Sequence, residues 1–169
     1  MIAPRSADPY RLPFRVAAVP VATTILGSAT SLLPVVTSWA MLPPFGLLML
    51  LGWRLLRPEI WQAWVALPLG LADDILTGRP IGTGMALWTM VLLAIDYSDT
   101  RLLWRNHWQE WGIVAVAVLF VTAGDVVLGW MSGADSSLRA VLPACLAGIL
   151  LFPSILRLCA RLDRWRLAR

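Results

Sequence analysis

The sequence predicts an all-α integral membrane protein, a compact bundle of about six transmembrane helices, and three observations carry that prediction. Apolar residues make up 59% of the 169 and charged residues 14%, far from the balance of a water-soluble chain. No charge interrupts the chain for 38 residues between Val16 and Trp53. As a helix that run would be about 57 Å long against a hydrocarbon core of about 30 Å, so it must cross, turn and cross back. The third observation is that arginines recur in clusters between the apolar runs.

In chain order the apolar segments are 16–36, 39–56, 59–77, 81–97, 112–131 and 139–158, drawn as one transmembrane domain over 1–169. Several are near the lower limit for a span, so a five-span drawing stays open. The first is longer than a signal-peptide core and carries Pro20 and Pro34 without a cleavage site before a soluble domain, so it reads as a retained span. The second carries Pro43, Pro44 and Gly46 and the third Pro68 and Gly70. Both are expected to bend, which a membrane tolerates where neighbouring protein satisfies the freed carbonyls.

Between the fourth and fifth segments, Arg101 to Trp111 reads as an interfacial helix, with Trp104, Trp108 and Trp111 on one face beside Arg101 and Arg105. His107, the single histidine, reads there as a headgroup-level surface residue in preference to a ligand or base. Trp53, Trp61 and Trp64 toward one side, with Trp39 and Trp130 toward the other, read as an aromatic belt, and Trp88 as core. Cys145 and Cys159 lie fourteen apart without a CxxC or a histidine partner and read as small buried hydrophobes.

The charges orient the drawing. With the amino terminus in the cytoplasm, twelve of the fourteen arginines fall inside and only Arg79 and Arg139 outside, as the positive-inside rule requires. Both termini are then cytoplasmic. A pI near 10 would suggest nucleic acid in a soluble chain, but arginines between apolar runs are explained by the membrane, so no nucleic-acid partner is expected.

The chain is organised around Ala66–Gly82. As a helix to about Thr77 it stacks Ala66, Gly70, Asp74 and Gly78 at intervals of four. A carboxylate thus stands in a row of small residues. In lipid such a row lets another helix approach, and the acid on it faces protein. Two readings stand side by side: Asp74 is shielded at a helix contact, or Asp73 and Asp74 merely close a short helix with Gly78 as its C-terminal glycine and Arg79–Pro80 as the turn.

Asp125 falls at the same depth on the six-span drawing. With Asp73, Asp74, Arg79 and Arg139 it suggests a paired polar cluster, since an isolated carboxylate at the bilayer centre costs about 2.5–3.5 kcal/mol. An ion pair fixing helix register is favoured over a proton relay or substrate contact. Gly82-Thr83-Gly84 reads as a flexible entry to the fourth span. No HExxH, GxSxG, Walker or dinucleotide motif is present, one histidine is too few for a metal centre, and an aspartyl dyad from Asp74 and Asp125 is a weak signal.

The run Gly70-Leu-Ala-Asp-Asp74-Ile-Leu-Thr-Gly78-Arg-Pro80-Ile-Gly82 resembles the G-L-x-x-D-x-x-x-G-x-P-x-G pattern of the bacterial rod shape-determining MreD family. Size, hydropathy and segment number agree with it. The residues that carry over are Gly70, Asp74, Gly78, Pro80 and Gly82; Asp73 fills a slot usually apolar. The resemblance implies a non-enzymatic inner-membrane component of the cell-wall elongation machinery, needing no cofactor. It would associate with the bitopic protein MreC and, through it, with the MreB filament, a SEDS glycosyltransferase and a class B penicillin-binding transpeptidase. It also implies a likeness to the substrate-binding subunits of energy-coupling-factor transporters. That defines an alternative function, for which Ala18 and Ala22 offer an AxxxA contact to a coupling subunit. In the scaffold reading the small-residue row docks a partner's helix or braces the bundle for it, and Gly78→Leu acts by crowding.

Overall fold

A computed structural model describes residues 14–32, 42–59, 61–101, 107–133 and 138–167. Within them the chain forms α1 (Phe14–Ala29), α2 (Phe45–Leu56), α3 (Ala66–Thr77), α4 (Thr83–Arg101), α5 (His107–Met131) and α6 (Leu138–Leu167), with short 3-10 turns at Thr30–Leu32 and Ala63–Val65. The closest pairing is α3 with α4; α2 packs between α1 and α6, and α5 joins α4 to α6.

The core is built around α2. Gly46, Leu47, Leu48, Leu50, Leu51, Gly52, Trp53 and Arg54 are all buried, as expected of a helix apolar on every side. Its twelve residues reach only about 18 Å, short of a hydrocarbon core of about 30 Å. Prolines set that length. Pro43 and Pro44 precede the first helical residue, and the Leu48 amide donates to the Pro44 carbonyl. At the other end Arg57 leaves the helical region at φ −139°, ψ 71°, and the following Pro58 disfavours a helical conformation there. In α2 the prolines delimit the helix, and in α3 Pro68 lies in the first turn, where no helical bond is lost.

The two long helices carry the membrane character. Trp108–Met131 and Val141–Trp165 have mean hydropathies of 2.2 and 2.0, yet only 33% and 28% of their most apolar windows are buried. Val116, Leu119, Phe120, Leu146 and Leu150 are exposed on them. Strongly apolar helices with most of their residues outside the protein core are suited to lipid.

Three expectations are corrected. Trp53 and Trp61 are not belt residues: both are fully buried, and the Trp53 indole donates to the Thr23 hydroxyl at 2.9 Å. α2 packs between α1 and α6, and both indoles turn into the core instead of outward. Trp64 and Trp130 are exposed and Trp88 is core. Arg101 closes α4 while His107–Trp111 opens α5, so Trp108 and Trp111 belong to a long helix instead of a separate interfacial one; Trp39, residues 102–106 and the side chains of Arg101 and His107 lie outside the described residues.

The third correction concerns Arg54 and Arg57, read above as loop charges. Arg54 is buried and its Nη2 reaches Asp96 at 2.5 Å and Asp99 at 2.8 Å. Arg57 donates from Nε and Nη2 to Asp163 at 3.1 and 2.9 Å, and that carboxylate's hydrogen bonds and charge raise the Arg57 pKa above its ordinary value. The carboxy-terminal ends of α2, α4 and α6 are thereby clamped together at one end of the bundle. Cys145 and Cys159 are buried and free.

Candidate functional site: the turn between α3 and α4

At the other end of the bundle α3 stops because Gly78 enters the left-handed region at φ 69°, ψ 23°. The Arg79 amide then donates to the Asp74 carbonyl at 3.1 Å, the bond of a Schellman ending. Pro80–Thr83 form a turn closed by the Thr83 amide on the Pro80 carbonyl at 3.1 Å, with Gly82 at φ 101° in its third position, where a positive φ favours glycine. No neighbouring atom lies within 4 Å of where a side chain would start at Gly78 or Gly82. Backbone conformation, not crowding, restricts both positions. Gly78→Ala is expected to cost about 1 kcal/mol, read as a modest fall in the midpoint of SDS-induced unfolding.

The Asp74 side chain is fully buried and spends both oxygens on the start of α4. Oδ2 accepts the Gly82 amide at 2.8 Å and Oδ1 the Gly84 amide at 2.7 Å. These are amides without carbonyl partners at a helix start, and the positive end of the helix dipole favours a carboxylate there. Asp74 is thus a cap supplied by one helix to the next. The contact is tight because both helices use glycine. A Cβ on Gly70 would stand 2.7 Å from the backbone of Gly84 and Met85, and one on Gly84 would stand 2.7 Å from Asp74 Oδ1.

The row Ala66, Gly70, Asp74 is therefore shielded by protein, and for Gly70 and Asp74 that protein is the start of the chain's own α4. No second chain is needed to fill it; Gly78, at its end, is exposed. Gly84, read above as a flexible entry, is a donor and a packing surface. Its spacing from Gly70 crosses a turn, so helical periodicity carries no sign of it.

Asp73 lies behind this corner. Its side chain is almost buried, is hydrogen-bonded by Ser28 of α1 and stands 3.6 Å from Arg79. The same Arg79 nitrogen reaches Asp125 of α5 at 3.0 Å. Asp73, Arg79 and Asp125 thus tie α1, the turn and α5, while Asp74 stands apart on its amides. The side chain of Arg139 lies outside the described residues. Neither aspartate is offered to the other as a dyad: no hydrogen bond joins Asp74 and Asp125 among the described residues, which also hold no metal-binding group of three His, Cys, Asp or Glu. Gly124, beside Asp125, lets Leu87 of α4 approach its backbone. Ser28 and Gly124 were not legible as site residues, since neither belongs to a motif or periodic stripe.

A double-mutant cycle reads the register. Asp125→Asn and Arg79→Gln are expected to couple by about 1 kcal/mol in unfolding free energy; strict additivity would remove the pair from the account.

A bundle that turns its carboxylates onto its own amides and arginines, and apolar faces of its two long helices outward, is a membrane protein, helical among the described residues, whose polar groups brace the fold. The family model of the rod shape-determining protein MreD matches residues 12–161. The chain belongs to the MreD family, a family of membrane proteins that determine cell shape. Neither the curated proteins nor the solved structures compared with the chain gave a match.

Proposed function

We propose that this chain is a non-enzymatic scaffold of the bacterial inner membrane that serves lateral peptidoglycan synthesis by binding MreC and, through it, MreB, a SEDS glycosyltransferase and a class B penicillin-binding transpeptidase. The observation that carries this reading is the Asp74 corner. Gly70, Asp74, Gly78, Pro80 and Gly82, the residues shared with the family pattern, form a braced turn instead of lining a pocket. Ile75 and Ile81 are exposed at that turn, an apolar shoulder held rigid for a partner. The arginine distribution supports a multi-pass topology with both termini, and the Arg54–Asp96–Asp99 end of the bundle, in the cytoplasm.

The transporter-subunit alternative and its energy-coupling-factor-like fold gain no support. Two hollows are open grooves with almost wholly apolar linings, one of about 500 Å³ between α4 and α5 and one of about 390 Å³ between α5 and α6.

Affinity purification of the full chain from native membranes, read by mass spectrometry, tests the proposal. MreC is expected in the eluate, and its recovery should fall when Ile75 and Ile81 are both changed to serine. Recovery of energising ATPase subunits without MreC would overturn it.

A further inference from the structure

One face of α6 changes chemistry along its length. Leu146 and Leu150 are exposed and one above the other; continuing down the same face come Pro153, then Arg157, Arg161 and Arg164, all exposed. The arginines follow one another at i, i+4 and i+7, within an arc of about 60°. Phe152, Ile155, Cys159 and Asp163, on the opposite face, are buried.

α6 is thirty residues long, about 45 Å, so about ten residues extend past a hydrocarbon core of about 30 Å. The switch from leucine to arginine marks where that core ends. Arg161 and Arg164 then stand about 6 and 10 Å beyond Arg157 along the axis, at headgroup depth. The single carboxylate of this segment, Asp163, is turned inward and held by Arg57, which fixes the rotation of the helix. None of the three arginines is ion-paired among the described residues.

We propose that Arg157, Arg161 and Arg164 form a binding stripe for the phosphates of anionic phospholipids on the face of the membrane where α6 emerges. The positive-inside rule explains why arginines are numerous here. It does not explain a face that runs from leucine into three guanidiniums without an ion-pair partner among the described residues while the nearby acid is withdrawn. Charge complementarity selects the occupant: acyl chains along Leu146 and Leu150, phosphates at the guanidiniums.

The test uses the purified full chain, titrated in detergent with phosphatidylglycerol or phosphatidylcholine and read by native mass spectrometry. The wild type should retain phosphatidylglycerol preferentially, and the preference should fall about fivefold for each arginine changed to glutamine, a loss of roughly 1 kcal/mol per basic residue near an anionic surface. A triple Arg→Lys variant should keep much of it. An unchanged preference in the triple Arg→Gln variant overturns the proposal, as does loss of a co-purified acidic protein with lipid retention intact. Unfolding in phosphatidylcholine should be unaffected by the triple change; if that variant does not fold, Arg161→Gln alone reads the same preference.

Discussion

An Asp74→Leu chain is expected to insert and to lose the corner between α3 and α4, with unfolding about 3 kcal/mol easier than in the wild type. Two amides, those of Gly82 and Gly84, lose a charged acceptor at a buried helix start where no carbonyl replaces it, and each such bond contributes about 1.5–3 kcal/mol. Leucine burial offsets part of that loss. Asp74→Asn separates charge from shape: it keeps one acceptor oxygen but aims an NH₂ at one of the amides, so it should recover little of the stability. SDS-induced unfolding of the purified chain measures both variants, and MreC recovery from membranes follows the same order if the corner supports the interface. Wild-type unfolding in Asp74→Leu would show that the cap contributes nothing. Normal unfolding resistance with lost MreC would instead place Asp74 at the interface itself.

Much of this corner was legible before any coordinates. A carboxylate in a row of alanine and glycine has to be covered by a close helix, and Gly78, Arg79 and Pro80 announce a turn; the turn is there, but Asp73 and Asp74 are buried in it and do more than close a helix. What covers Asp74 was not legible. The covering helix is the next one in the chain, and its contribution is two backbone amides, which are present in every sequence. Likewise Arg54 finds Asp96 and Asp99 more than forty residues away, and no spacing rule links them. Burial of Trp53 follows from the packing of α2 between α1 and α6 and from its bond to Thr23, partners that no spacing reveals; its place near the end of an apolar run suggested an interface.

The glycine pair carries the other large effect and separates two kinds of close approach. Gly70→Ala puts a methyl 2.7 Å from the backbone of Gly84 and Met85. Backbone cannot rotate aside, so α3 and α4 must separate, and the cost should be about 3 kcal/mol, at the upper end for overpacking. Gly84→Ala meets Asp74 Oδ1 at 2.7 Å and the Gly70 carbonyl at 3.0 Å, so most of its cost passes through a side chain that can be removed. In an Asp74→Ala background the penalty of Gly84→Ala should fall by at least half, while that of Gly70→Ala should persist almost unchanged. Equal attenuation of both, read in the same unfolding assay, would mean that the helices are held at their distance by Asp74 alone, and that the glycines only allow the approach which the carboxylate enforces.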